Sequence, residues 1–145
     1  MTTDESTDRG VHVRHLGGDR FEIGVRGHVL TVDQPAADGG EDSAPTPTEL
    51  FIAGLAGCVA FYGRRYCARH GVDPEGLAVD VRYRMGERPA RVADIGITIT
   101  PPIHLPPERR EPFLAVASHC TVHNTLTDPP VIRVGLALAE HPVAS

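Results

Sequence analysis

The chain is 145 residues long, 41% apolar and 23% charged, the make-up of one globular domain rather than of a disordered chain. Its 14 basic and 19 acidic residues leave a net charge of −5, which argues against a broad nucleic-acid footprint. Every basic residue is Arg, so neither a Schiff-base lysine nor a P-loop lysine is available.

Residues 1–9 are polar and acidic and read as a frayed tail, with none of the features of a signal peptide. A strand-rich block follows. Val11 and Val13 alternate with His12 and Arg14; Phe21, Ile23 and Val25 alternate with Glu22 and Gly24; His28 to Val32 forms a third run. Turn signals at Gly17-Gly18-Asp19 and Arg26-Gly27 divide them, which predicts a three-stranded antiparallel meander. After a loop from Ala36 to Pro45, Thr46-Pro47-Thr48-Glu49 is a capping box with Pro at the first helical position. The helix it opens is expected to run to about His70, stopped by Gly71, and to be roughly 36 Å long. Gly54, Gly57 and Gly63 each cost such a helix roughly 1 kcal/mol, so they predict a central helix that another backbone approaches closely.

Leu77, Val79, Val81, Tyr83 and Met85 alternate with polar or small residues, as do Ile95, Ile97 and Ile99 beyond a turn at Gly86 to Pro89, predicting a hairpin with one buried face. A second helix is expected over roughly Glu108 to Ser118, with Pro112 starting or kinking it. A short turn or helix follows over His119 to Leu126, and a last strand over Val131 to Ala139. The order points to a single α+β domain over residues 10–145. The longest apolar stretch, Leu50 to Tyr62, is too short to cross a bilayer, so a cytoplasmic protein without a membrane partner is expected.

Three cysteines in such a chain are better read as thiols than as a disulfide framework. On an intact helix Cys58 and Cys67 lie half a turn out of phase and about 13.5 Å apart along the axis. A disulfide needs Cα atoms within about 7 Å, so these two do not pair. Cys120 follows Ser118-His119. If Ser118 caps the short helix, Cys120 lies in its first turn, where free N–H groups favour a thiolate. Set among Gly, Ala and Val, Cys58 reads from these residues alone as a small buried hydrophobe. Glu49 needs no role beyond the capping box. The Arg64-Arg65-Arg69 cluster is read as solvating the helix end and complementing its dipole.

Two segments carry a family resemblance. Residues 44–51 (Ala-Pro-Thr-Pro-Thr-Glu-Leu-Phe) followed by Ala53-Gly54-Leu55-Ala56-Gly57-Cys58 resemble the first cysteine motif of the OsmC/Ohr proteins. His119-Cys120-Thr121-Val122-His123-Asn124-Thr125-Leu126 resembles the second, in the right order and at a fitting distance. The resemblance covers about residues 10–140. It implies antiparallel strands around a long central helix inside an interwoven homodimer, and thiol-dependent peroxidase chemistry without metal, haem or flavin. By resemblance, the Cys58 thiolate would attack a hydroperoxide and become a sulfenic acid. Cys120 would condense with it to a disulfide, and a lipoyl-type dithiol would reduce that bond. Arg20 is the best match for the arginine that supports the thiolate, with Arg26 the runner-up, and Glu49 would orient it.

The match departs from the organic hydroperoxide reductases at two places. Their acid stands two residues before the motif's Leu, which is Thr48 here, and their second cysteine is followed by Pro, where this chain has Thr121. One helical position turns a side chain by about 100°, so Glu49 faces away from the family's direction. These departures put the chain with the broader OsmC-like proteins. Two other readings stay open. One is a ligand-binding or redox-sensing dimer that does not turn over, its apolar pocket lined by Phe51, Leu55, Phe61 and Tyr62. The other is a zinc site at Cys58 and Cys120 with His119 and His123.

Overall fold

The computed structural model describes residues 9–138. The tail expected over residues 1–9 therefore lies outside it but for Arg9, as does the end of the last expected strand.

Alternation and turn chemistry build the first sheet as the sequence predicts. β1 (His12–Gly17), β2 (Arg20–Val25) and β3 (His28–Val32) form an antiparallel meander in that order. Val13 faces Ile23, which faces Leu30, so one apolar row crosses all three strands. On the other face Arg14 and Glu22, directly opposed, form an ion pair of 2.5 Å. Nothing among the described residues covers the apolar face: Val13, Phe21 and Leu30 are exposed.

The loop from β3 to the long helix is organised by one buried carboxylate. Asp33 accepts hydrogen bonds from the N–H groups of Gln34 (2.7 Å), Glu41 (3.3 Å) and Ser43 (3.0 Å) and from the Ser43 hydroxyl (2.7 Å). Its own N–H donates to the Pro45 carbonyl at 3.1 Å. Gly40 is required beside it, because a Cβ there would stand 2.1 Å from the Gln34 carbonyl oxygen. The Ser43 bonds, ahead of the other donors, hold the Asp33 carboxyl down at about 2. Depression means that its stabilising share is complete above the ordinary carboxylate range and is lost as pH falls from about 4 towards 2. Asp33→Asn is therefore expected to lower the melting temperature at pH 7. The gap from wild type should narrow as pH falls through that window; a gap constant from pH 7 to pH 2 would contradict the assignment.

α1 (Pro47–Arg69) matches the predicted helix, capping box included: Glu49 N–H donates to Thr46 Oγ1 at 3.0 Å and Thr46 N–H to Glu49 Oε1 at 2.9 Å. Gly71, at φ +66°, terminates it. Next come the hairpin β4 (Ala78–Gly86) and β5 (Arg91–Thr100), then α2 (Arg110–Ser118) and α3 (Thr121–Thr127). Pro112 falls in the first turn of α2, where its missing N–H costs nothing, so it starts the helix and does not kink it. α1 packs against β4, α2 and α3. Leu55 and Val59 pack with Ala117 and Cys120, and Val79, Ile95 and Ile99 cover them from the hairpin. A second cluster joins Tyr66 and Cys67 to Leu105 and Phe113.

Two expectations need correction. Among the described residues no other backbone comes close to the helix glycines: at Gly63 it is a side chain, the Phe113 ring, that would stand 3.2 Å from a Cβ, and beside Gly54 and Gly57 the described chain leaves open space. The last expected strand, Val131 to Ala139, is not a strand over its described part: residues 131–138 pair with no other segment among those described, and their apolar side chains are exposed. Apolar alternation predicts an extended segment, but strand structure also needs a hydrogen-bonding neighbour. No helix among the described residues is long and apolar enough to cross a membrane.

A candidate thiol site between α1 and α3

Cys58 sits in the middle of α1, half-buried, with its side chain against the cluster that contains Cys120. Cys120 is fully buried at the junction of α2 and α3. Residues 62 positions apart in sequence are thus neighbours, packed in one cluster. Both are free thiols. Cys67 is buried in the other cluster, and burial pushes its thiol up.

Cys120 is itself the N-cap of α3: its Sγ accepts from His123 N–H at 3.4 Å. The expectation of a Ser118 cap is corrected here. The Ser118 hydroxyl turns back and donates to the Leu114 carbonyl at 2.6 Å, which closes α2. The expected thiolate-favouring setting is corrected as well. Burial outweighs the His123 N–H, and nearby Cys58 adds to the effect, so the Cys120 thiol is raised and stays protonated at neutral pH. Helix α3 is held to α1 by the Tyr62 hydroxyl, 2.7 Å from Thr121 Oγ1. No sequence signal pointed to that bond between residues 59 apart.

The two charged residues expected at the site stand elsewhere in this chain. Arg20 begins β2, and its Nε lies 4.0 Å from Glu41 Oε1, both side chains well exposed. The meander shares no substantial packing with α1, so it does not carry Arg20 to its own Cys58. Arg26 sits in the β2–β3 turn at φ 48°. Glu49 is exposed and occupied by the capping box; among the described residues it pairs with no arginine. Of the four residues expected to act together, the structure brings together Cys58 and Cys120.

His119 and His123 do not converge with the thiols on a metal position. Each spends Nδ1 on a carbonyl, His119 on Ala115 and His123 on Ser118. The ligand atoms that do converge among the described residues belong to the exposed Asp73, Glu75 and His104. The expected apolar pocket divides: Leu55 is core, whereas Phe51 and Phe61 are exposed.

Comparison with known proteins adds a family. The model of the family described as OsmC-like protein matches residues 40–135. Solved structures share the fold. A protein of Psychrobacter arcticus 273-4, named for osmotic stress induction and a detoxification response, is 24% identical over 79% of this chain and 85% of its own, with a TM-score of 0.73. An OsmC like protein from Mycoplasma pneumoniae is 16% identical over 84% and 89%, with a TM-score of 0.71. An organic hydroperoxide resistance protein OsmC from Legionella pneumophila is 20% identical over 82% and 88%, with a TM-score of 0.62. No curated protein matches the sequence.

Proposed function

Because the chain belongs to the OsmC-like protein family, we propose that it is a thiol-dependent peroxidase that reduces organic hydroperoxides in oxidative-stress defence. The observation that carries this reading is the packing of half-buried Cys58 against fully buried Cys120. The names of solved relatives from Legionella pneumophila and Vibrio cholerae, organic hydroperoxide resistance proteins, support the choice of substrate.

In the proposed cycle the Cys58 thiolate attacks the outer peroxide oxygen. The O–O bond breaks, the alkoxide leaves and takes up a proton as the alcohol, and Cys58 becomes a sulfenic acid. The Cys120 sulfur, giving up its proton, then attacks the Cys58 sulfur. A disulfide forms and the sulfenic oxygen leaves as water. A lipoyl-type dithiol returns both thiols by two exchange steps and is itself oxidised to a cyclic disulfide. The reading calls for a cation beside the attacking sulfur, as reactive cysteines have in general. Arg20 is proposed for it, delivered by a second copy of the chain, because its own sheet does not cover Cys58. The exposed Arg20–Glu41 pair is long and weak enough to release the guanidinium. Glu49 is proposed to orient that guanidinium while it caps α1. The reading takes residues 10–145 as one domain of an interwoven homodimer.

The test is a stopped-flow titration of the reduced protein with cumene hydroperoxide and hydrogen peroxide, followed by thiol count and intact mass. Fast loss of two thiols with a two-hydrogen mass loss, reversed by dihydrolipoamide, is the expected result. Stoichiometric oxidation that no dithiol reverses would replace turnover with redox sensing, and absence of reaction would remove both.

A further inference from the structure

On the side of α1 facing α2, a cleft of about 340 Å³ is lined by Tyr62, Arg65, Arg69, Ala115, Val116 and His119. Neither Cys58 nor Cys120 lines it, and no carboxylate does. Its walls are of two kinds. Ala115, Val116 and the Tyr62 ring form an apolar floor. Arg65 and Arg69, one turn apart on α1, add two cationic residues to the lining. Like charges at this spacing repel by a few tenths of a kcal/mol on a helix, and no acid in the described ion pairs offsets them. The C-terminal end of α1 accounts for a cation at Arg69, in its last turn. It does not account for Arg65, one turn earlier.

Arg65 is fixed in place: its guanidinium carbon lies 5.5 Å from the Tyr62 ring centre and 5.7 Å from that of Phe61. Neither ring takes a guanidinium N–H in a hydrogen bond among the described residues, so those donors stay available to a ligand. His119 closes the end as a fixed ring, since its Nδ1–H donates to the Ala115 carbonyl at 2.7 Å. Two full positive charges outweigh the roughly half negative charge of the helix end. In a chain of net charge −5, this cleft concentrates the opposite sign against an apolar floor.

We infer that the cleft between α1 and α2 binds a small amphipathic anion, its carboxylate or phosphate group held by Arg65 and Arg69 and its apolar body laid on Ala115, Val116 and Tyr62. The site is distinct from the thiol pair and its occupancy does not depend on peroxidase turnover. It does border that pair, because Tyr62 also bonds Thr121, next to Cys120.

The test is equilibrium binding to the full-length reduced protein, with octanoate and octyl phosphate as probes and 1-octanol and inorganic phosphate as controls. Saturable binding of at least one anionic probe is expected, at least tenfold tighter than either control; the tighter of the two identifies the head group. Affinity should fall at least tenfold in Arg65→Gln and in Arg69→Gln and stay unchanged in Arg64→Gln, which alters a neighbouring arginine outside the cleft. Arg69 is exposed, so its variant carries the test if Arg65→Gln melts early. Lack of saturable binding, equal binding of octanol, or undiminished binding in Arg69→Gln would overturn the inference.

Discussion

Cys58→Ser is expected to lower the rate of peroxide consumption by at least 10³-fold, equivalent to about 4 kcal/mol of activation free energy, with the fold retained. Oxygen for sulfur is nearly isosteric in a half-buried helical position, but a serine hydroxyl stays protonated at neutral pH and is a poor nucleophile. Cys120→Ser is expected to behave differently. Cys120 is fully buried and its thiol is raised by that burial, so a peroxide neither reaches it readily nor finds a thiolate there. The first oxidation should therefore proceed at close to the wild-type rate in Cys120→Ser. Without the second thiol the product should persist as a sulfenic acid, one oxygen heavier, in place of a species two hydrogens lighter. Rapid-mixing kinetics with intact mass separates these cases. Equal rates in Cys58→Ser and wild type would refute the assignment of the attacking sulfur, and a wild-type disulfide mass in Cys120→Ser would implicate Cys67.

Local rules carry much of the fold. The capping box at Thr46 and Glu49, the stop at Gly71 and the alternation in five strands each act over a few residues, where propensity and turn chemistry decide the outcome. What those rules cannot supply is the neighbour. Val131 to Leu138 alternate as a strand should, yet no segment of the described chain pairs with them. The glycines of α1 announce a close approach, but nothing in the described chain comes near Gly54 or Gly57. The Cys58–Cys120 pairing likewise came from family resemblance, since helical period says nothing about a residue 62 positions away. Two local features were missed for other reasons. Asp33 looks like any acid before a turn until its four donors are assembled around it. A cysteine cap at α3 hides behind the usual preference for Ser, Thr, Asp or Asn, to which Ser118 conformed without serving.

Those unmet neighbours converge on one expectation: the protein is a dimer, and Val134→Glu with Leu136→Glu should split it. Among the described residues the buried core comprises ten apolar residues, while nineteen large ones are exposed. The exposed set is not scattered. Val13, Phe21 and Leu30 share one face of the meander, Phe51 and Phe61 flank the open glycines of α1, and Val134 and Leu136 are 92% and 85% exposed in the unpaired terminal segment. Patches of that extent mark a contact surface. Burying a Val or Leu side chain contributes about 1.5–3 kcal/mol, so losing two from an interface should raise the dimer dissociation constant by roughly 10²- to 10⁴-fold. Light scattering across a dilution series measures it. A monomeric wild type at micromolar concentration would refute the expectation. The same variant also separates the parts of the proposed site. Cys58 and Cys120 pack together within one chain and should still close a disulfide under a strong thiol oxidant when the dimer is split. If the thiolate's cation comes from the second copy, the rate with cumene hydroperoxide should fall with the fraction of dimer. A split dimer that keeps its full peroxide rate would return the cation to the same chain and remove Arg20 from that role.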